Sequence, residues 1–328
     1  MKLGVVLFQL GGPDSLQAVE PFLYNLFSDP DIIDFPFARI ARQPLARLIA
    51  ARRAKHVAHH YAGLGGKSPL IENTMRQAAA LEARLRQTAD ARVAVAMRYW
   101  HPFTAEAIAQ LERHRPEEVV LLPLYPQYSK TTTGSSLHEW TRRFQPNGWH
   151  PRIHRVDEFH QDRHYLEAVR QAIDLALREF RDAGGVDFVF SAHSVPLAVV
   201  ESGDPYQQQI ERTVEAVWHL GGWPGRRHLC YQSKLGASKW LRPSMHETIR
   251  QLAAEGRRQV LVVPISFVSD HVETLHEIDI EHRAQARELG IEQYRMVPGL
   301  NDSPAFIEAL AELVLARVSS PAMYAGSA

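Results

Sequence analysis

Short apolar runs of strand length alternate with longer stretches of helical periodicity along almost the whole chain, and this alternation constrains the fold most. The strand-length runs cover residues 5–10, 91–97, 119–124, 150–156, 188–191, 228–231, 259–265 and 292–297. The helical patterns cover residues 16–26, 37–61, 72–85, 105–113, 166–180, 205–220, 247–254, 272–289 and 304–317. Such alternation is typical of parallel sheets covered by helices. The sequence therefore predicts an α/β fold.

The two halves of the chain repeat the same order of features. The apolar runs at 119–125 and 260–266 each lead into a Ser/Thr-rich turn and then a Leu-His-Glu triplet. Segments 5–13 and 188–196 also correspond, since each has a strand, a turn of small residues and a proline. Strand–turn–helix units also look alike because α/β packing repeats itself, which leaves chance recurrence open. We predict a duplicated Rossmann-like domain with a boundary near residues 157–164.

A row of carboxylates follows the strand predicted at 259–265. In an α-helix each residue turns by about 100°, so Asp270, Glu273, Glu277 and Glu281 would share an arc of about 80°. Four stacked carboxylates repel one another, and a chain tolerates this most readily when the row serves a cation or a proton. The alternative is a solvated acidic face at a helix N-terminus, where the helix dipole favours negative charge.

A histidine stands at a second predicted strand end. His193 follows the apolar run 187–190, and ligands of open α/β sheets bind beyond the carboxyl ends of the strands. A histidine in this position is often structural. However, Glu273 follows another strand and would face the same crevice. Together His193 and Glu273 are suited to hold a divalent metal or to accept protons near neutral pH.

Composition excludes several function classes. The chain has 328 residues, and its 37 basic residues balance 37 acidic ones, so nothing favours electrostatic binding of nucleic acid. Cys230 is the one cysteine, which excludes an internal disulfide and a Cys-ligated iron–sulfur cluster. Gly11, Gly12 and Pro13 lack the full dinucleotide-binding pattern, which argues against NAD or FAD. We expect these glycines to allow close backbone approach to a flat ligand.

The sequence contains neither a signal-peptide pattern at its N-terminus nor an apolar run long enough to span a bilayer. We therefore expect a cytoplasmic protein or one on a membrane face.

Nine short motifs are spread along the chain. They are LGGP (10–13), GGKSP (65–69), RYWHP (98–102), YPQYS (125–129), TTGSS (132–136), FSAHSVP (190–196), GDPY (203–206), QSK (232–234) and SDHVETL (269–275). In this order they resemble the motifs of ferrochelatases, the enzymes that insert Fe²⁺ into a porphyrin at the end of haem synthesis. The resemblance covers nearly the whole chain, and the ordered set is far more specific than any single motif.

The resemblance implies the chelatase fold, with two Rossmann-like domains that each contain a parallel four-stranded sheet flanked by helices. The first domain is expected at 1–158, completed by the C-terminal helix 304–328, and the second, carrying His193 and Glu273, at 159–303. Residues implied to bind the porphyrin are Leu10, Arg53, Tyr61, Ser68, Arg98, Tyr99, Tyr125, Ser194 and Trp240. By residue type alone, Tyr99 and Trp240 are equally typical of a core.

The mechanism expected from these residues begins with the departure of two pyrrole protons and the entry of Fe²⁺ into a puckered ring. We hypothesise that a neutral His193 accepts pyrrole protons and that Glu273 lies opposite, both forming a transient Fe²⁺ site. Asp270, Glu277 and Glu281 are expected to relay protons or metal. Fe²⁺ is then a substrate, and no cofactor is permanently bound. Relatives that carry an iron–sulfur cluster have a cysteine where this chain has Lys130, and the chain lacks their C-terminal extension, so we expect no cluster.

An apolar cluster at residues 22–37, interrupted by the acidic, proline-containing stretch 28–31, is expected to be partly exposed. The resemblance implies a lip over the active-site mouth that contacts the inner face of the cell membrane, or the upstream oxidase that forms the porphyrin. Arg39, Arg42, Arg47, Arg52 and Arg53 follow and suit lipid headgroups or porphyrin propionates.

The apolar lip favours protoporphyrin, with two propionates, over coproporphyrin, with four. A chelatase for sirohydrochlorin-like rings, a non-catalytic porphyrin or haem carrier, and a structural protein of this fold are the alternatives. The first would need a more basic and less apolar site, and a carrier has no use for a buried carboxylate row opposite a histidine. The number of polar residues at strand ends argues against a structural protein.

Overall fold

The computed structural model describes residues 1–32, 38–233 and 239–319. The chain divides into two compact units. The first unit comprises Met1–Tyr125, Lys130–Glu158 and Asn301–Ala328, and the second comprises Pro126–Ser129 and Phe159–Leu300.

Each unit contains a parallel four-stranded sheet. The strands, in chain order, are β1 (Lys2–Gln9), β2 (Asp90–Met97), β3 (Glu118–Pro123), β4 (Arg152–Arg155), β5 (Val186–His193), β6 (Arg226–Gln232), β7 (Gln259–Pro264) and β8 (Gln293–Met296). The first sheet has the order β2-β1-β3-β4 and the second β6-β5-β7-β8, so the two sheets have the same topology. This confirms the predicted α/β class with two four-stranded parallel sheets.

The helices cover both sheets. In chain order they are α1 (Val19–Ser28), α2 (Ala38–Ala62), α3 (Leu70–Leu85), α4 (Thr104–His114), α5 (Ser135–Arg143), α6 (Arg163–Leu177), α7 (Leu197–Glu201), α8 (Tyr206–Gly221), α9 (Met245–Ala254), α10 (His282–Glu288) and α11 (Pro304–Ser319). Among the residues that the structure describes, two segments are π-helical, Lys130–Gly134 between β3 and α5, and Glu273–Glu281 between β7 and α10.

The central strands are buried almost completely, as continuous apolar runs in a parallel sheet require. Every residue of β1 after Lys2 is buried, and so is every residue of β3. In the first unit Phe8, Leu111 and Trp140 belong to one core cluster. In the second unit Val262 and Ile249 belong to another. The core therefore forms where helices close over the sheet faces.

Sequence periodicity missed two helices. The Ser/Thr-rich stretch before α5 is typical of a turn, yet Leu137 and Trp140, three residues apart, are both buried there. Glu139 on the other face pairs with Arg142 and Arg143, which supports the helix at its exposed side. The second missed helix, α7, is a single short turn of five residues.

The C-terminal helix belongs to the first unit. α11 packs against α3, where Glu308 receives two hydrogen bonds of 2.7 Å from the Arg84 guanidinium. Arg76 of α3 also pairs with Asp302 at 3.3 Å. These contacts hold the residues after 300 in the first unit, although the sheet of that unit lies more than a hundred residues earlier in the chain.

The short segment Pro126–Ser129 belongs to the second unit although it follows β3 directly. Side-chain contacts explain this, since the Gln127 amide donates to Thr213 at 3.1 Å and the Ser129 hydroxyl donates to Asp204 at 3.0 Å. Within the described ranges, no helix combines the length and the apolar character needed to cross a bilayer.

A buried carboxylate anchors the start of β5. The Asp187 side chain is inaccessible to solvent and is bound by Arg226 at 3.0 Å, His228 at 2.9 Å and Arg257. Burial raises the pKa of Asp187, but His228, Arg257 and Arg226 together outweigh burial and hold the pKa below its usual range. Asp187 is therefore ionised in the folded chain, and its charge stabilises the second unit.

We predict that Asp187→Asn destabilises the second unit by about 2 kcal/mol at pH 7, because it removes the buried charge that accepts charge-assisted hydrogen bonds from partly exposed Arg226, His228 and Arg257. The folded-state pKa of Asp187 is depressed, so its stabilisation is complete above the unfolded pKa of about 3.9 and is lost as the pH falls through the folded value. Urea unfolding followed by the fluorescence of Trp218 and Trp223, which pack against Phe188, reports on this unit. A variant whose free energy of unfolding matches that of the parent at pH 7, or whose difference from the parent does not shrink as the pH falls further and further below about 3.9, would contradict the prediction.

Candidate active site

The register of β5 brings polar residues to one edge of the second sheet. His193, the last residue of β5, is aligned with Gln232 at the end of β6, and Ser191 is aligned with Pro264 at the end of β7. The backbone of His193 is held on both sides, since its N–H donates to the Ser266 hydroxyl at 2.9 Å and its carbonyl accepts from Tyr206 at 2.9 Å. The ring therefore extends from a fixed backbone position beyond the strand ends.

His193 and Glu273 form a hydrogen-bonded pair. The distance from Nδ1 of His193 to Oε2 of Glu273 is 3.0 Å. About a third of each side chain is exposed, 37% for His193 and 32% for Glu273. The structure thus brings together the histidine and the carboxylate that the sequence placed at two strand ends, and it leaves both accessible to a ligand.

The carboxylate row lies on a π-helix, so the predicted α-helical geometry is wrong for this segment. From Glu273 to Glu281 the turns are wider than the 3.6 residues of an α-helix. In an α-helix, residues four apart drift by about 40° around the axis. A turn of a little over four residues removes most of that drift, so Glu273, Glu277 and Glu281 align more closely than predicted. Wide turns of this kind occur frequently at functional sites.

Asp270 is not part of this row. It precedes the π-helix, and its Oδ1 accepts the backbone N–H of Gly299 at 3.0 Å and the Thr274 hydroxyl at 3.4 Å. A side chain on Gly299 would approach the backbone of Asp270 to 2.7 Å, so the glycine permits this contact. Asp270 therefore anchors the start of the π-helix, and its expected part in a relay of protons or metal stays a prediction.

His193 and Glu273 each shift the pKa of the other. Burial raises the pKa of Glu273, but His193 and then His271 outweigh this and hold it well below its usual range. Burial lowers the pKa of His193, yet the carboxylates of Glu273 and Glu277 raise it to a net value above the ordinary one. Sequence analysis expected a neutral imidazole, whereas the pair favours an imidazolium beside a carboxylate over a wider pH range.

Glu277 has a different environment one wide turn further on. Ser233 donates its backbone N–H to Glu277 at 3.1 Å and its hydroxyl at 2.6 Å. Ser233 adopts a positive φ of 58°, an uncommon conformation for serine that aims both donors at the same carboxylate. Burial and the nearby Glu273 charge nevertheless raise the pKa of Glu277. Glu277 therefore binds a proton at a higher pH than Glu273 does.

Glu281 ends the row in a more open position. Half of its side chain is exposed, and Oε1 lies 3.3 Å from Nδ1 of His276.

His271 is a functional candidate that sequence analysis missed. Its ring is buried, and Nδ1 lies 3.1 Å from the carbonyl of Ser269, which can only accept, so Nδ1 carries a hydrogen. Its Nε2 is 3.8 Å from Oε2 of Glu273. His271 supports the carboxylate from the side away from Ser269 when Nε2 is protonated as well, so that the ring is an imidazolium. The SDHVETL motif contained the signal, since His271 precedes Glu273 by two residues.

A matching edge exists in the first sheet. β1 lies between β2 and β3, with Gln9 aligned with Met97 and Phe8 with Pro123. Leu10, Arg98 and Tyr125 follow these three strands and therefore lie at the same edge.

Arg98 and Tyr99 are tied to a buried carboxylate. Oδ2 of Asp29 accepts from the Tyr99 hydroxyl at 2.6 Å, the Ser135 hydroxyl at 2.5 Å and Nη2 of Arg98 at 2.9 Å. Burial raises the pKa of Asp29, but Ser135, Tyr99 and Arg98 hold it below its usual range. Tyr99 is fully buried. It therefore presents no open aromatic face, and its hydroxyl helps to hold the Asp29 carboxylate in place.

The acidic break after the first apolar cluster is exposed in part only. Pro30 is exposed and Asp29 is 3% exposed, while Phe22, Leu23 and Phe27 before it are buried against α2 and the unit's interior. The sequence offered no sign of this, because Arg98 and Ser135 are distant along the chain. Of the other apolar residues of the expected lip, Ile32 is half-buried, and Ile33, Phe35 and Phe37 lie outside the described residues.

The glycines of the first strand-end loop permit contacts within the protein itself. A side chain at Gly12 would approach Ser68 to 2.5 Å, and Gly11 has a φ of +87° beside the backbone of Trp100. The Ser68 N–H donates to the carbonyl of Pro13 at 2.8 Å, which completes this loop contact. Close packing between chain segments therefore explains both glycines without a ligand.

The remaining candidates of the first unit differ in exposure. Leu10 is half-buried, Tyr61 and Ser68 are 3% exposed, and the hydroxyl of Tyr125 is shielded from solvent. Burial raises the pKa of Tyr125. Arg53 is partly buried with its guanidinium 5.7 Å from the centre of the Phe27 ring, and burial lowers its pKa.

In the second unit, Ser194 and Trp240 lie beside His193. The Ser194 N–H donates to the carbonyl of Gln232 at 2.7 Å, and its buried hydroxyl lies 3.5 Å from the carbonyl of Leu241. Trp240 is half-buried and forms an isolated β-bridge with Pro196, two residues after Ser194. Ser194 therefore has backbone partners of its own, whereas Trp240 retains exposed surface.

Comparisons with known proteins agree on one family. The Ferrochelatase family model matches residues 2–318. The Ferrochelatase of Aquifex aeolicus strain VF5 is 47% identical over 96% of this chain and 99% of its own length. The Ferrochelatase of Synechocystis is 44% identical over 98% of this chain and 84% of its own length.

Solved structures are similar in fold at much lower identity. SirB from Bacillus subtilis with Fe³⁺ is similar with a TM-score of 0.54 at 13% identity, covering 97% of this chain and 95% of that one. CbiX is described as the terminal enzyme for biosynthesis of sirohaem in denitrifying bacteria. It has a TM-score of 0.52 at 13% identity, and the match covers 96% of this chain and 99% of that one. At this identity the likeness establishes the chelatase fold alone.

We predict that Glu273→Gln lowers the pKa of His193, because it removes the negative charge that stabilises the imidazolium. Nitrogen-detected NMR titration of the histidine side chains, without metal or porphyrin, measures this directly. Asp279→Asn is the matched control, since Asp279 lies on the same π-helix but pairs with Arg283. If the pKa of His193 is unchanged in Glu273→Gln, or falls equally in both variants, then the charge of Glu273 does not determine the pKa of His193.

Proposed function

The chain belongs to the ferrochelatase family, and we propose that it inserts Fe²⁺ into protoporphyrin IX to form protohaem and two protons, the terminal step of haem biosynthesis. In enzyme classes it is a lyase. The hydrogen-bonded His193–Glu273 pair, accessible at the carboxyl edge of the second sheet, is the observation that carries the proposal.

Glu273 and Glu277 have opposite pKa shifts, and we assign them different roles. Glu273 has a depressed pKa and stays ionised, so it suits a transient bond to Fe²⁺ together with the imidazole of His193. Two protein ligands hold the metal weakly enough to release it, unlike a closed structural site. His193 must lose its proton before it can bind metal or accept a pyrrole proton.

Glu277 is the proposed destination of that proton. Its raised pKa makes it the better proton acceptor of the two carboxylates near neutral pH. The wide helical turn aligns it with Glu273, and Glu281 continues the row towards solvent. Groups whose surroundings separate their pKa values in this way are typical acid–base partners.

Porphyrin contacts are proposed at the edges of both sheets. Leu10 and Trp240 offer apolar surface, whereas Arg53, Arg98 and Ser68 suit the propionates, with Tyr61, Tyr99, Tyr125 and Ser194 supporting them. Arg53 and Arg98 are the two cations of this set, which matches the two propionates of protoporphyrin better than the four of coproporphyrin. Arg98 shares its charge with Asp29, so it binds an added carboxylate less strongly than an unpaired arginine would.

No permanently bound cofactor is proposed. The single cysteine, Cys230, cannot supply the thiolates of an iron–sulfur cluster. Its thiol is also buried in β6, and burial raises its pKa to about 12.

We further propose a cytoplasmic protein that binds peripherally to the inner face of the cell membrane, where it would meet its porphyrin or the oxidase that forms it. On α2, Leu45 and Leu48 are 37% and 50% exposed, and Arg47 and Arg52 are exposed among them. Exposed leucines beside basic residues suit an interface with anionic lipids.

We predict that the chain inserts Fe²⁺ or Zn²⁺ into protoporphyrin faster than into coproporphyrin. The change in porphyrin absorbance measures the rate of insertion, and the Fe²⁺ assay is run anaerobically. His193→Ala and Glu273→Gln should each reduce turnover by about 10²–10⁴-fold, the range for loss of an acid–base group. Asp279→Asn, on the same helix but outside the row, should retain activity.

Each alternative has its own signature in this assay. Insertion into coproporphyrin alone would overturn the substrate assignment but keep the reaction. Tight porphyrin binding without any insertion would identify a carrier. Near-normal turnover in His193→Ala would remove that residue from the mechanism.

We predict that the chain floats with vesicles that contain anionic lipid and that Arg47→Glu weakens this binding about 30-fold, because each basic residue near such a surface contributes about 1 kcal/mol. Leu48→Glu should weaken it as well. Leu175→Glu, which alters a leucine on α6 that is 65% exposed, is the control and should have no effect. Absence of flotation in the parent chain, or equal losses in all three variants, would exclude α2 as the membrane contact.

A further inference from the structure

Two histidines face each other on the exposed side of α2, in the first unit. His56 is exposed and His60 is half-buried, and their ring centroids are 4.7 Å apart with an interplanar angle of 70°. We propose that His56 and His60 form a chelating site for one divalent transition-metal ion, separate from the His193–Glu273 pair of the second unit. This site does not depend on the proposed function.

Helix geometry supports chelation by this pair. Residues four apart lie on one face about 6 Å apart along the axis, and a pair of histidines at this spacing is a recognised zinc-binding arrangement. With metal–nitrogen bonds of about 2.0–2.1 Å, two nitrogens of a tetrahedral site lie roughly 3.3 Å apart. The ring centroids of His56 and His60 lie 4.7 Å apart, so both rings are already within the range of one shared ion.

The ligand type selects the class of metal. Imidazole suits Zn²⁺, Cu²⁺ and Ni²⁺, and affinity rises from Fe²⁺ to Cu²⁺ in the usual order of first-row metals. Two imidazoles fill only part of the coordination sphere of the ion, so the bound ion stays exchangeable. The pair should therefore hold Cu²⁺, Ni²⁺ or Zn²⁺ more tightly than Fe²⁺.

The charge of α2 opposes a cation but does not prevent binding. The sequence of α2 contains no acidic residue, and Arg52 and Arg53 stand one turn before His56. The Arg53 guanidinium is held over the Phe27 ring of α1, whereas Arg52 is exposed to solvent. Repulsion by an exposed arginine is weakened by water and salt. Removal of Arg52 should therefore tighten metal binding.

Calorimetric titration of the full-length protein with Ni²⁺, without porphyrin, tests the site. His56→Ala and His60→Ala should each raise the dissociation constant of Ni²⁺ at this site by on the order of 100-fold, because each variant removes one of two linked ligands. His59→Ala is the matched control on the same helix and should bind as the parent does. Arg52→Ala should bind ~3-fold more tightly at low salt and no more tightly at high salt.

A second measurement does not rely on variants. Ni²⁺ should slow the acylation of His56 and His60 by diethylpyrocarbonate, followed by mass spectrometry, more than that of His59. The Glu273→Gln protein should show the same protection, because its substitution lies in the other unit. The proposal is wrong if Ni²⁺ protects neither histidine, if His56→Ala binds Ni²⁺ like the parent, or if His59→Ala loses binding equally.

Discussion

The register of the central strand in each sheet determines where this chain can place its chemistry. β5 is paired on one side with β6 and on the other with β7, and β1 is paired with β2 and β3 in the same way. Because parallel strands end at a common edge, His193 meets Ser266 although 73 residues separate them. A slip of one residue would turn buried side chains to the opposite face, so burial of the core also fixes the site.

The wide helical turn after β7 creates an electrostatic conflict that the surrounding residues resolve. Stacking Glu273 directly above Glu277 raises the repulsion between them relative to an α-helix. The chain resolves this unequally, since His193 and His271 stabilise the charge of Glu273 while Ser233 gives Glu277 neutral donors. The result is one carboxylate that stays ionised and one that protonates more readily, two properties that metal insertion into a porphyrin requires together.

The strands and their polar ends could be predicted from the sequence because both follow from local pattern. Continuous apolar runs identify buried parallel strands, and a histidine or arginine directly after such a run must lie at the sheet edge. The π-helix could not be predicted in this way, since the pattern at 272–289 fits an ordinary helix and the widened turn depends on what the segment packs against. Asp29 shows the same limit, because its partners Tyr99 and Ser135 lie 70 and 106 residues away. Without them an Asp-Pro step is typical of an exposed break.

Both units place a π-helical segment after their third strand, yet the two edges are chemically different. In the first unit the carboxylate of Asp29 is inaccessible, and arginine, tyrosine and serine donors satisfy it. A buried group that is fully satisfied by its own protein rigidifies the fold but cannot exchange protons or metal. In the second unit the His193–Glu273 pair is a third exposed and has an opposite shift on each member. The same edge of the same topology thus supports a closed network in one unit and an accessible, hydrogen-bonded pair in the other, and burial makes the difference.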